Sequence, residues 1–244
     1  MREVADGVFL IEHAYTNCYL VVDEGAVTIV DAAYPSTWWI VRRTLDAIGL
    51  RATDVAAVVL THGHFDHVGF ARFLQSQFAV PVWVHAADRW LAAHPYRYRP
   101  QRNRFLFPLR HPRSVSVLSR MALAGALRVR GVDATTTFAA GPLDLPGSPI
   151  AVPTPGHTDG HCAFHLPDRG VVLTGDALVT LDPYTGRRGP RMVAPAATAD
   201  LDLNRRSLDR LGALDAALLL PGHGDPWPHG CASAVRLAHH ARYD

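Results

Sequence analysis

The run Thr61-His62-Gly63-His64-Phe65-Asp66-His67 packs three imidazoles and one carboxylate into six residues, the donor types of a transition-metal site. Side chains two apart on extended backbone point the same way, so His62 and His64 can grip one cation from one side. Asp66 and His67 stand where the chain should turn into a helix, and can face a second cation a few ångströms away. A His-rich surface loop is the rival reading, and chance spacing supports it weakly. Later segments add His157, Asp176 and His223, making seven metal-seeking groups in all. A catalytic zinc takes three protein ligands and a water, so two zincs need about six ligands, and one carboxylate can bridge them. Asp176 is the natural bridge, because a carboxylate has two oxygens while an imidazole presents one free nitrogen.

Such groups need rigid supports, and the chain supplies them in alternation. Short apolar runs at Val8–Ile11, Cys18–Val22 and Val27–Val30 predict strands. Ser36–Ile48 predicts a helix with Ser36 as N-cap and Gly49 as its stop. Val55–Leu60 is a continuous apolar run, expected to be buried on both faces, and feeds directly into the histidine motif. A helix over His67–Phe78 and a strand at Val82–Val84 follow. The second half predicts strands at Ile150–Val152, His161–Leu166, Val171–Leu173 and Ala216–Leu220, with helices at Ala199–Leu211 and Ala232–Arg242. Each candidate ligand therefore lies just past an apolar strand, at the loop edge where α/β proteins build active sites.

With these residues in view, the chain resembles the metallo-β-lactamase superfamily over nearly its full length. The matching motifs are Thr-His-Gly-His-Phe-Asp-His at 61–67, Pro-Gly-His-Thr-Asp-Gly-His at 155–161, Thr-Gly-Asp at 174–176 and Pro-Gly-His-Gly at 221–224. The resemblance implies an α/β fold, a four-layer αβ/βα sandwich of two mixed β-sheets flanked by helices, with residues 1–244 as a single domain. It also implies that His62, His64 and His157 hold one metal, that Asp66, His67 and His223 hold another, and that Asp176 bridges them. Two Zn2+ ions are the expected cofactors, with Fe or Mn acceptable to the same donors. The expected activity is that of a hydrolase using a metal-bridging hydroxide on an ester, thioester or lactone of a small substrate. Asp66 is the candidate catalytic residue, either orienting the hydroxide and passing its proton to the leaving group or serving as a ligand alone. The alternatives within the family are an iron sulfur dioxygenase using only the first ligand set and a phosphodiesterase or nuclease. Val179 stands where the acyl-homoserine lactonases carry a tyrosine, which weakens that particular match. The short stretch after His223 leaves little room for a glutathione-binding segment of the glyoxalase II kind.

Composition narrows the classes further. At 244 residues with 48% hydrophobic and 19% charged, the chain can bury a substantial core. Cys18, Cys162 and Cys231 are odd in number and form no CxxC pair, so neither a disulfide framework nor a zinc knuckle is expected. The charged N-terminus and the lack of a long apolar run predict a soluble, reducing, cytoplasmic setting without a transmembrane segment. All 24 basic residues are arginine, which removes Schiff-base and P-loop lysine chemistry. Of the other histidines, His161 reads as orienting a ligand or filling space, His165 as structural, and His85 as unclaimed by any motif. His13, His94, His111, His229, His239 and His240 default to the surface. Cys162 reads as a small core residue.

Residues 94–130 break the alternation, with nine arginines and no acidic group, and predict a helical insertion over the site with a helix near Ser116–Val129. Solvated surface or a homodimer contact, a wall recognising an anionic group, and a lipid-touching helix are its three readings. A net charge of +2 is too small to argue for a nucleic-acid partner by itself, and a small molecule is the expected one, with the segment's arginines keeping nucleic acid as a lesser alternative. Tyr96, Tyr98, Phe105 and Phe107 alternate with arginines there, which suits a substrate with an apolar tail. Replacing Arg102 and Arg104 with Ala is expected to raise the KM for anionic substrates alone. Steady-state kinetics on charged and neutral pairs checks this, and an equal effect on both would remove the anion-binding role.

Overall fold

The first part of the chain forms a sheet that begins antiparallel and ends parallel. The structure, a computed structural model, describes residues 1–104 and 107–243, so Phe105 lies outside the described residues. β1 (Arg2–Ala5), β2 (Val8–His13), β3 (Thr16–Asp23) and β4 (Ala26–Val30) form an antiparallel meander. β5 (Val55–Val59), β6 (Val82–His85) and β7 (Thr136–Phe138) continue the same sheet in parallel, giving seven strands in sequence order. The second sheet holds β8 (Gly141–Pro142), β9 (Ile150–Pro153), β10 (Cys162–Leu166) and β11 (Val171–Gly175), all antiparallel. β12 (Val179–Leu181) and β13 (Arg188–Arg191) pair only with each other, and β14 (Leu218–Pro221) returns to lie parallel to β11. Both large sheets are thus mixed.

Period-two alternation sorts their side chains into layers. Leu20, Ile29, Val58 and Leu60 point to a core shared with α1 (Trp38–Ala47) and α3 (Ala71–Phe78), through Val41, Leu45 and Leu74. Their neighbours Tyr19, Val21, Val30 and Val59 face the second sheet and pack with Phe164, Leu173 and Leu220. The far face of the second sheet, Ala163, Val172 and Leu219, is covered by Leu208, Leu211, Ala234 and Val235 of the two C-terminal helices. Helix, sheet, sheet and helix are therefore stacked, the αβ/βα sandwich. The β5 run is buried on both faces as its composition requires, apart from exposed Ala56.

Several helices depart from the sequence expectation for physical reasons. The single helix over 67–78 is two, α2 (Phe65–Val68) and α3, because backbone between them pairs with the loop after β4. Ala32 N donates to His67 O (2.7 Å) and Phe70 N to Ala32 O (3.0 Å). Gly69 fits this contact because a β-carbon there would collide with the Ala33 carbonyl. A 3-10 turn at Pro35–Thr37 precedes α1, so Ser36 is not its N-cap; the Ser36 hydroxyl donates to Ala124 O (2.6 Å) instead. α4 (Arg89–Ala93) follows β6, and α5 (Phe107–Arg110) and α6 (Arg113–Leu123) lie in the arginine-rich segment. α6 starts and stops earlier than expected, ending before Gly125, whose φ of +103° suits glycine. α7 (Leu201–Gly212) is capped by Asp200, which accepts from Leu203 N at 2.8 Å, and α8 (Cys231–His240) closes the chain. Among the described residues no helix is long and apolar enough to cross a membrane.

Gly69→Ala is expected to destabilise the fold by about 1–3 kcal/mol through overpacking of the α2–α3 junction. A lower urea midpoint at unchanged slope would verify it, and an unshifted midpoint would contradict the close-approach argument.

Candidate metal centre

The carboxyl ends of β4, β5 and β6 and those of β9, β11 and β14 open on one shared edge, where Cys162 N donates to Thr61 O (2.9 Å) between the sheets. His62 and His64 follow β5, Asp66 and His67 lie in α2, His157 follows β9, Asp176 follows β11 and His223 follows β14. All seven sequence-predicted residues come together here and all are buried, Asp66 being the most exposed at 6%. Three overlapping donor groups result, His62/His64/His157, His62/His67/Asp176 and Asp66/His67/His223. Within each, the atoms able to ligate lie within 4.8 Å of one another. His64 Nδ1 is 3.0 Å from His157 Nε2. Asp176 faces both sides, with Oδ1 3.4 Å from His67 Nε2 and Oδ2 3.5 Å from His157 Nε2 and 3.3 Å from His223 Nε2.

Hydrogen bonds behind the rings fix which nitrogen faces inward. Thr61 Oγ1 donates its one proton to Asp31 Oδ2 (2.8 Å), so at 3.0 Å it must accept from His62 Nδ1. Thr198 Oγ1 donates to Val193 O (2.9 Å) and likewise accepts from His157 Nδ1 (3.1 Å). His67 Nδ1 donates to Asp31 Oδ2 (2.8 Å) and His223 Nδ1 to Tyr15 O (2.7 Å). Each of these four rings therefore turns its Nε2 lone pair to the centre. Nε2 of His62, His67 and His223 and Oδ1 of Asp176 are buried without a hydrogen-bond partner. Buried polar atoms are seldom left unpaired, and converging lone pairs of this kind fit a cation.

Electrostatics point the same way. Burial keeps His62 well below the usual imidazole range and holds His64 and His157 at about 3. At His223 burial is outweighed by Asp176 and Asp66, which lift it to about 10. Burial is likewise overcome at His67 by Asp31 and Asp176, which raise it well above the normal value. Burial opposes ionisation of Asp176, yet His223 and His67 hold it well below the carboxylate range. The carboxylates thus demand positive charge at the centre, from protons on His67 and His223 or from a cation.

Two buried aspartates that the sequence reading missed support the donors. Asp31 accepts from Thr61 N (2.8 Å), Thr61 Oγ1 and His67 Nδ1. Asp88 accepts from Gly63 N (2.9 Å), Gly160 N (2.7 Å) and Thr158 Oγ1 (2.7 Å). Asp31 carried the same signal as the others, a polar residue just past an apolar strand. His161 is a positioning residue: Nε2 accepts from Asp176 N (3.0 Å) and Ala177 N (3.2 Å), and Nδ1 donates to Thr154 Oγ1 (2.8 Å). His85 stays apart, accepting from Ala87 N. His13 is partly buried against Thr37 rather than free on the surface. The arginine-rich segment covers the His64 side, the Tyr98 ring lying 4.3 Å from that imidazole. Arg104 stacks on Tyr98 at 4.7 Å, whereas Arg102 is exposed and anchored by its backbone to Pro195 O (2.9 Å).

Known proteins carry related chains. The family described as the metallo-beta-lactamase superfamily matches residues 12–223. The chain is 28% identical over 240 residues to the probable metallo-hydrolase YflN of Bacillus subtilis, covering 92% of this chain and 86% of that one. It is similar to the metallo-beta-lactamase family protein TTHA1429 of Thermus thermophilus (26% identity, TM-score 0.70, 98% of this chain and 80% of that one). TTHA1623, solved in a di-iron-bound form, shares the fold at 23% identity and a TM-score of 0.68, over 96% of this chain and 99% of that one. With the matching model spanning most of its length, the chain belongs to the metallo-beta-lactamase superfamily.

Proposed function

We propose that the protein is a binuclear metal-dependent hydrolase that cleaves the ester, thioester or lactone bond of a small substrate. One observation carries this reading. A single carboxylate, Asp176, lies within 3.5 Å of His157 on one side and of His67 and His223 on the other. In this reading His62, His64 and His157 hold one cation, Asp66, His67 and His223 hold the second, and Asp176 bridges. Two zinc ions are the cofactors of this reading, although the His and Asp donors do not themselves choose among zinc, iron and manganese. Iron or manganese would also fit, and iron is what TTHA1623 binds. When bound, the cations supply Lewis-acid polarisation and a water acidic enough to attack at neutral pH.

The chain's own residues do the rest. Asp31, Thr61, Thr198 and Tyr15 hold four imidazoles in the ligating tautomer, so no ring has to reorient during turnover. Asp66, whose Oδ2 is 3.5 Å from His223 Nε2, is the carboxylate that can keep a proton for the leaving group. Tyr98 and Tyr184, joined by their hydroxyls at 3.0 Å, narrow the approach and exclude water. Residues 1–244 act as one domain, in which 94–130 is an insertion over this site.

Elemental analysis is expected to give about two zincs per chain, together with turnover of a panel of lactones, thioesters and aryl esters. One iron per chain with oxygen consumption on a persulfide would replace this reading with the dioxygenase-like one. Asp176→Ala is expected to abolish turnover and lower the metal content. Full metal loading with retained activity in that variant would defeat the bridging role.

A further inference from the structure

The space over Asp66, Asp176 and His223 shares three walls, Phe65, Tyr98 and Tyr184, with a second depression. This groove, about 350 Å³, runs outward between the 96–104 stretch and α6, past Leu118, Met121 and Leu127. Its size is at the low end for pockets that take small organic ligands. Arg104 is the one charged residue among those that line it, and its guanidinium lies on the Tyr98 face at the inner end.

The polar tips of the lining rings are already used. Tyr96 donates to Ala126 O (2.7 Å) and accepts from Val129 N (2.8 Å), which pins its ring parallel to Phe65 at 5.4 Å. Tyr98 and Tyr184 bond each other. Apart from Arg104 and the Tyr98–Tyr184 hydroxyl pair at the inner end, what faces the groove is ring surface and aliphatic carbon. Folding leaves Leu127 at its rim 78% exposed. An apolar slot that opens onto buried polar donors is the complement of a molecule with a polar head and an apolar tail.

Resting on the hydrolase reading, we propose that this groove binds the apolar tail of the substrate, a medium-length acyl chain. The scissile carbonyl then lies at the Asp66–Asp176–His223 end, and Tyr98 and Tyr184 mark the junction. The groove thus selects long-tailed over short-tailed esters, and the residues after His94 set that choice.

The test uses the metal-loaded protein with p-nitrophenyl esters from acetate to decanoate, and titration calorimetry with decanoate and acetate as non-reacting probes. The kcat/KM is expected to rise about two- to fourfold per added methylene until the groove is filled, and decanoate to bind tighter than acetate. Ala122→Trp, which fills the groove from an exposed helix position, and Leu127→Asp at the exposed rim should flatten the profile and remove the preference for decanoate. A flat profile in an active wild-type enzyme overturns the proposal and leaves the hydrolase reading standing. Turnover of no ester, thioester or lactone, with a decanoate preference that both variants lose, sinks the hydrolase reading and upholds the groove. A decanoate preference that both variants retain also overturns the groove.

Discussion

Asp31 is the constraint on which the site depends. Its backbone adopts a left-handed φ of +62° at the end of β4, a conformation aspartate tolerates better than most residues. That turn swings the carboxylate across to the end of β5, where it takes the amide and hydroxyl of Thr61 and the Nδ1 proton of His67. Because the Thr61 hydroxyl is committed to Asp31, it can only accept from His62. One buried carboxylate therefore sets the orientation of two imidazoles and the register of two parallel strands at the same time. An unpaired charge here would be costly, and its three donors make it tolerable.

Asp88 does for the two halves of the molecule what Asp31 does for the two strands. Its oxygens take the amide of Gly63, between His62 and His64, and the amide of Gly160 with the hydroxyl of Thr158, beside His157. Burial, with a smaller push from Asp159, raises its pKa above the usual carboxylate value against those three hydrogen bonds. Gly63 and Gly160 fit because backbone must come this close: a β-carbon at Gly160 would lie 2.6 Å from Asp88 N, and one at Gly63 2.6 Å from Ala92 N. The histidine turns from the two sheets are thus clasped to each other before any cation is considered.

Much of this was legible in the sequence because it is local. The spacing of His62, His64, Asp66 and His67 and the apolar runs before them carry periodic signals, and so does the burial of β5. The missed parts are not periodic. β12 and β13 are short and pair only with each other, and β7 and β8 are two or three residues long. The break at Gly69 is enforced by backbone of the loop after β4, more than thirty residues away in the chain. Asp31 and Asp88 belong to no local motif, because the groups they bind lie 25 to 72 residues along the chain. The arginine-rich stretch was visible as an anomaly, but its position over His64 depends on contacts with residues 195–198.

That last attachment carries a consequence for how the protein can change. Gln101 N donates to Thr198 O and Arg102 N to Pro195 O, each at 2.9 Å, while the Thr198 hydroxyl is the group that orients His157. The cover and one of the central imidazoles therefore rest on the same short loop. An exchange of the covering segment would pull on the loop that orients His157. Outward-facing side chains of this cover can be exchanged without moving the loop that orients His157, whereas a shift of its backbone is passed on to that ring.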